Sequence, residues 1–305
     1  MSEVTVRAPA SVSNVVVGFD CLGFALEMPY DEVTVRIIDE PAIRIVHNDD
    51  FDLPTEPDQN VAGVALNALI ASAELDHGFE VEITKNIMPG SGIGSSAASS
   101  CAAVVAANHL IGDRFTKHEL TDLAMFGEAL ASGSRHADNL APCIYGGIVL
   151  VRSIEPLDVV EIEHPPLWAT VVHPQIEVKT SEARAILPQQ VPLKDAVKNW
   201  SNLGAFVAAL KSGDYDLMAR SMEDTIVEPA RKNLIPNFDA IKATSLEAGA
   251  IGGGISGSGP SMFMLSDDPT TADEVADAME AVFANSGIER NIYVSPISQN
   301  GVTVV

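Results

Sequence analysis

Basic side chains are scarce in this chain: 18 Lys and Arg stand against 42 Asp and Glu, a formal net charge of −24 over 305 residues. Such a chain repels phosphate backbones and anionic headgroups, so no nucleic-acid and no membrane partner is expected, and an anionic ligand must be held by local groups. Cysteine is nearly absent. Cys21, Cys101 and Cys143 are odd in number, far apart and match no Cys-x-x-Cys or Cys/His spacing, which excludes a disulfide scaffold and a thiolate metal site and points to free thiols in a reducing compartment. No apolar run approaches the roughly 20 residues that span a bilayer; the longest candidate, Cys101 to Ile111, is broken by Asn108 and His109. A basic region followed by an apolar one is missing at the N-terminus, so nothing marks the chain for secretion and a cytoplasmic location is expected. The Walker pattern, with its Gly-Lys-Ser/Thr, is missing too.

What is present is ample apolar material, 47 % of residues, at a length that favours two domains over a single core. The acidic excess has two readings, a solvated surface or an adaptation to concentrated salt that screens self-repulsion; lysine occurs only eight times.

Along the chain, Val4 to Arg7 and Glu32 to Ile38 alternate as half-buried strands do, with Arg44 to His47 as an extension of their hairpin. Helical spacing begins at Asn60, and Phe79 to Thr84 alternates again before a glycine-rich turn and a small-residue helix, Ala97 to Leu110. A helix over about Lys117 to Ala131 and a strand over Gly146 to Val151 complete the first half. Glu155 to Pro166, with three prolines and several acids, reads as the linker, which gives domains of 1–155 and 156–305. The second half predicts a strand over Trp168 to Val172, helices over 180–187, 194–211, 215–224 and 238–247, and a second glycine-rich stretch, Gly249 to Gly259. It closes with strand Ser261 to Leu265, helix Thr271 to Ser286 and strand Asn291 to Val294.

The sharpest local signal is Gly90-Ser91-Gly92-Ile93-Gly94-Ser95-Ser96, three glycines and three serines in seven positions before a helix. Glycines let successive amides turn inward and a helix N-terminus adds aligned N–H dipoles, so phosphate can be bound without lysines, which suits an acidic chain. Gly92-x-Gly94-x-x-Ala97 also fits a dinucleotide-binding pattern. Against that nicotinamide reading, the preceding strand alternates rather than running apolar throughout, and the acid expected some 20 residues on falls in the turn Gly112-Asp113-Arg114.

Pro89-Gly90-Ser91-Gly92-Ile93-Gly94-Ser95-Ser96-Ala97-Ala98, with Ser99 following, resembles the phosphate-loop motif of the GHMP kinases, and Gly253 to Ser261 resembles their C-terminal glycine-rich motif. Ala8 to Asn14, Gly18 to Gly23, Arg135 to Asn139, Thr180 to Arg184 and Glu228 to Arg231 are similar to the homoserine kinase branch, so the resemblance covers essentially the whole chain. It implies an α+β two-domain fold, the N-terminal domain like ribosomal protein S5 domain 2 and the C-terminal one ferredoxin-like, with ATP on the loop between them. The implied reaction moves the γ-phosphoryl group of ATP to the hydroxyl of L-homoserine, with Mg²⁺, ahead of threonine synthase. Oligomeric state stays open, a homodimer included.

The same resemblance assigns Pro89 to Ser99 to ATP, and Ser96 with Glu128 to Mg²⁺. A carboxylate plus a hydroxyl is a normal way to hold that ion against substrate phosphates. Arg184 and Arg231 offer planar forks for a carboxylate, Asp20 a partner for an ammonium, and Asn14, His136 and Asn139 groups to place the side chain. Two departures within the family matter. The lysine that assists the hydroxyl in mevalonate kinase-like members is Ser11 here, and Asn139 is placed at the catalytic aspartate position, with the adjacent Asp138 leaving that alignment open by one residue. An amide orients a hydroxyl but takes no proton, which phosphoryl transfer tolerates because positioning and charge neutralisation supply most of the catalysis. Alternatives are another small-alcohol kinase of this fold, on a mevalonate-like acid, or a nucleotide-binding member without turnover. Asp20 opposes the first and intact Ser96 and Glu128 the second.

Overall fold

The computed structural model describes residues 2–284 and 286–305. Two long strands set its first layer. β1 (Glu3–Ser13) and β2 (Leu22–Ile38) pair antiparallel from Glu3 opposite Arg36 to Ser13 opposite Gly23, with a register shift between Pro9 and Ser11. β1 alternates in burial as far as Arg7 and is buried on both sides beyond it, which is why only its first half reads as a strand in the sequence.

β3 (Ile43–His47) does not extend this hairpin. The β2 edge away from β1 is taken by β4 (Gly78–Thr84), antiparallel, so β3 pairs parallel to β4 at the rim of the sheet. Four helices cover one face: α1 (Val61–Ala73), capped by the Asn60 side chain; α2 (Ser95–Leu110); α3 (Lys117–Ser132), opened by a Thr116/Glu119 capping box; and α4 (Leu140–Tyr145). The small side chains of α2, among them Ala97, Ala98, Ala102, Ala103, Ala106 and Ala107, are buried, and they let this helix pack between the sheet and the helices α1 and α3.

β5 (Ile148–Ile154) and β6 (Leu157–Ile162) form a further hairpin on the same sheet. The segment expected to be a linker thus supplies β6, an edge strand of the first sheet, although it lies on the C-terminal side of the 155/156 division, which falls between the paired strands β5 and β6.

The second sheet follows from β7 (Trp168–Pro174), then α5 (Thr180–Ala185), α6 (Leu193–Ser212), α7 (Tyr215–Ser221), α8 (Val227–Arg231) and α9 (Phe238–Glu247), then β8 (Gly252–Ile255), β9 (Met262–Ser266), α10 (Pro269–Phe283) and β10 (Arg290–Pro296). Its antiparallel order β10-β7-β9-β8 is the ferredoxin-like arrangement, with α5–α9 enlarging the first crossover. β8 lies inside the second glycine-rich stretch, to which the sequence assigned no strand. Its glycines allow close approach, since a Cβ on Gly253 would sit 2.0 Å from the Phe263 carbonyl oxygen. The chain ends by returning β11 (Thr303–Val304) to β1.

One hydrophobic core runs from the first sheet into the second, joined by Phe24 and Phe263, whose rings meet edge-on at 5.5 Å. A smaller core lies between β7–β9 and the helices α9 and α10. All three cysteines are free. Among the described residues, no helix is long and apolar enough to cross a membrane.

Candidate active site

The glycine-rich loop crosses between the two sheets. Gly90, Gly92 and Gly94 hold φ of 74°, 82° and 74°, which only glycine adopts without strain, and Gly94 starts α2 with no side chain capping its first amides. Ile93, Ala97 and Ala98 point into the core and anchor the loop, and Ser91 is also buried. Pro89, the three glycines, Ser95, Ser96 and Ser99 face a cavity of about 340 Å³.

The second sheet clamps this loop. Ser256 Oγ donates to the Gly92 carbonyl at 2.7 Å, the Ser261 amide to the Ser91 carbonyl at 3.3 Å, and the Gly257 amide to the Ser13 carbonyl at 3.2 Å. Gly92 has no room for a side chain: a Cβ there would lie 2.6 Å from the Gly259 oxygen.

Across the cavity, the turn between β1 and β2 carries Asn14, Val15, Val16 and Asp20 at φ of 71°, 36°, 61° and 57°. Left-handed backbone at two β-branched valines is strained, and strain of this kind gathers at binding sites. The Asn14 side chain braces the turn, donating to the Gly257 carbonyl at 2.7 Å and accepting from the Asp20 amide at 2.9 Å.

Asp20 and Arg184 meet as a two-pronged pair, at 3.0 and 2.8 Å, and Arg184 Nη2 also donates to His136 Nε2 at 2.9 Å. Arg231, only 3 % exposed, donates Nε to the Ala183 carbonyl at 2.9 Å and Nη1 to the Gly257 carbonyl at 3.2 Å. Both guanidinium groups stand over the Phe19 ring, at 5.5 and 5.2 Å. Burial, and then the neighbouring Arg184 charge, make Arg231 less basic than usual. The structure therefore brings Asn14, Asp20, His136, Arg184 and Arg231 together, with Asp20 and Arg184 bound to each other rather than standing apart.

Two carboxyl groups, Glu128 and Asp138, line the same cavity. Burial pushes Glu128 up to about 7, with the Asp138 charge adding and the hydroxyls of Ser132 and Ser96 opposing. Asp138 is raised by burial first and then by Asp20, against the pull of His136 and Ser13. The Asn139 amide is held at both ends: Ser11 Oγ donates to its Oδ1 at 2.9 Å and its Nδ2 donates to Ser13 Oγ at 3.0 Å. Ser11, the residue in the missing lysine's place, thus fixes Asn139.

Sequence reasoning missed the far wall of the cavity, made by Leu53, Pro54, Val61, Asn60 and His47. Asn60 carried a signal there as a helix cap, but nothing in the sequence aligned the loop before α1 with the glycine-rich loop. The buried Lys85, which also lines the cavity, was missed as well.

Two family models match the chain: GHMP kinases N terminal domain over residues 60–147 and GHMP kinases C terminal over residues 206–285. Homoserine kinase of Chloroherpeton thalassium is 45 % identical over 319 aligned positions, covering both chains in full, and that of Xanthomonas campestris is 42 % identical, covering 98 % of this chain and 92 % of its own. The crystal structure of homoserine kinase from Cytophaga hutchinsonii matches with a TM-score of 0.96 at 47 % identity, over 100 % of this chain and 98 % of that one. Mevalonate kinase of L. major in complex with R-mevalonate matches at a TM-score of 0.72 over 97 % of this chain and 98 % of that one; at 18 % identity this likeness concerns the fold.

Proposed function

The chain belongs to the GHMP kinases, in their homoserine kinase branch, and from that membership we propose how its residues divide the work of an ATP-dependent phosphorylation of L-homoserine to O-phospho-L-homoserine, a step of threonine biosynthesis. One observation carries the division: a single cavity has a helix N-terminus and glycine-rich loop on one side and two arginines with an aspartate on the other.

The amides of the loop and of the first turn of α2 bind the ATP phosphates, and the apolar wall of Leu53, Pro54 and Val61 takes the base. Arg231 and Arg184 receive the carboxylate of the amino acid, and Asp20 its ammonium, so the substrate zwitterion enters between charges that now neutralise one another. His136 supports Arg184, and Asn14 holds Asp20 in its strained turn. A mevalonate-like acid brings no cation for Asp20, which disfavours it.

The donor set also fits Mg²⁺. Glu128 is a carboxylate that burial leaves short of a counter-charge, and the Ser96 hydroxyl is close enough to lower its pKa. Substrate phosphates and water would complete the coordination of an ion held by one carboxylate and one hydroxyl. When bound, Mg²⁺ supplies charge neutralisation on the phosphates.

For the acceptor, the Ser11–Asn139–Ser13 chain of hydrogen bonds is a fixed rack that orients the substrate hydroxyl without taking its proton. The raised carboxyl of Asp138 supports a second reading, in which Asp138 receives that proton. Three free thiols and a biosynthetic role support a cytoplasmic location.

ADP release from ATP–Mg²⁺ with L-homoserine, mevalonate, L-serine and galactose in parallel tests the assignment. L-Homoserine should be the substrate turned over; equal turnover of mevalonate would sink the zwitterion reading.

A further inference from the structure

At the base of the phosphate loop, with Lys85 on the cavity wall, lies a charged pair to which the proposed division of work gives no part. Asp31, on β2, is wholly buried, and Lys85, the residue after β4, is 6 % exposed. The Lys85 ammonium has three protons and three acceptors: Asp31 Oδ2 at 2.5 Å, the Ser95 carbonyl at 3.0 Å and Ser99 Oγ at 2.9 Å. The second Asp31 oxygen accepts from the backbone amides of Asn86 at 2.8 Å and Ile87 at 2.9 Å. Ser95 Oγ returns to the Ile87 carbonyl at 2.8 Å. The strand exit at 85–87 and the first turn of α2 at 95–99 are therefore joined, and the loop between them is closed at its base.

Stability is a poor reason for this arrangement, because apolar side chains of similar size usually serve a core as well as a buried ion pair does. Fully satisfied ions give something apolar groups cannot, which is a fixed direction for each bond. Here the bonds set where the N-terminus of α2 sits relative to β4. We propose that Asp31, acting through Lys85, is a positioning residue for nucleotide binding: it holds the loop and the α2 amides where the phosphates of ATP are received. The identity of the nucleotide rests on the kinase reading above.

The pair is neutral as a unit. Removing both charges leaves the net charge beside an incoming phosphate unchanged and removes the tether, whereas removing one changes both.

The test uses the full chain as Lys85→Met, as Asp31→Asn with Lys85→Met, and as Ser99→Ala. ATP and L-homoserine binding are titrated separately by calorimetry, and denaturation midpoints are recorded. The double variant should bind ATP at least about tenfold more weakly and homoserine within roughly twofold of the parent, as a displaced loop requires. Its midpoint should lie at or above that of Lys85→Met, because no unpaired buried charge remains. Ser99→Ala removes a single link and should weaken ATP by a few-fold. Parent-like ATP affinity in the folded double variant, or equal loss for both ligands, would overturn the proposal. If the double variant does not fold, Ser99→Ala decides by the same comparison, and unchanged ATP binding overturns it. A parent protein that fails to bind ATP overturns the kinase reading instead, so the two failures are distinct.

Discussion

Replacing Gly92 by alanine, with Gly90→Ala as the reference, asks how the phosphate loop is held. Both glycines have left-handed backbone, so either alanine costs roughly 1–2 kcal/mol in strain. Their surroundings differ. A Cβ on Gly90 would meet nothing within 4 Å, whereas one on Gly92 would lie 2.6 Å from the Gly259 oxygen and 2.9 Å from both the Gly259 carbon and the Ser256 oxygen. These are backbone atoms and cannot swing aside, so overpacking adds about 1–3 kcal/mol. Stretching the Ser256–Gly92 hydrogen bond adds about 1 kcal/mol more. Gly92→Ala should therefore lose about 3–6 kcal/mol of stability against about 1–2 for Gly90→Ala. The same displacement moves the donors that face the phosphates, so the KM for ATP should rise by about tenfold or more in Gly92→Ala. Urea denaturation and initial rates over a range of ATP concentrations measure both quantities. Equal destabilisation of the two variants would refute the contact argument, and a destabilised Gly92→Ala with an unchanged KM for ATP would separate the loop's position from phosphate binding.

Arg231→Ala should weaken homoserine binding by about 2–5 kcal/mol, since its guanidinium is buried, and Arg184→Ala by less, since its side chain is 39 % exposed; an equal rise in the KM for ATP would place both elsewhere. Glu128→Gln keeps shape and loses charge, so turnover should collapse with the fold intact, and an active variant with unchanged Mg²⁺ dependence would move the metal site. Asn139→Leu should cut turnover through lost orientation, but if Asp138→Asn abolishes turnover with substrate binding intact while Asn139→Leu is mild, Asp138 is the base. His173, buried on β7, is pushed down to about 4, so folding stability is fully present above its ordinary pKa of 6.5 and falls as the pH drops towards 4. That loss is worth about 3 kcal/mol and should be absent from His173→Gln, as denaturation midpoints at pH 7.5 and 4 would report.

The phosphate loop was legible in the sequence because its requirements are local. Left-handed backbone at 90, 92 and 94 demands glycine, and the buried helix behind it demands small side chains. The alternation of β4 is local in the same way, as are the two-domain division in outline and the motifs that named Asp20, Arg184 and Arg231. Partner choice is not local. Periodicity identified β3 as a strand but not that β4 had already taken the β2 edge. It left Gly252–Ile255 inside a glycine-rich stretch with no strand assigned, because a glycine chosen for close packing of backbones looks the same in sequence as one chosen for turning. At the site, only the tertiary structure decided that Asp20 holds Arg184 across 164 positions, that Ser11 and Ser13 fix Asn139, and that Lys85 ties the loop to Asp31. A residue's type determines which bonds it is able to make; which of them forms depends on the groups that packing brings within about 3 Å, and packing is a property of the whole chain.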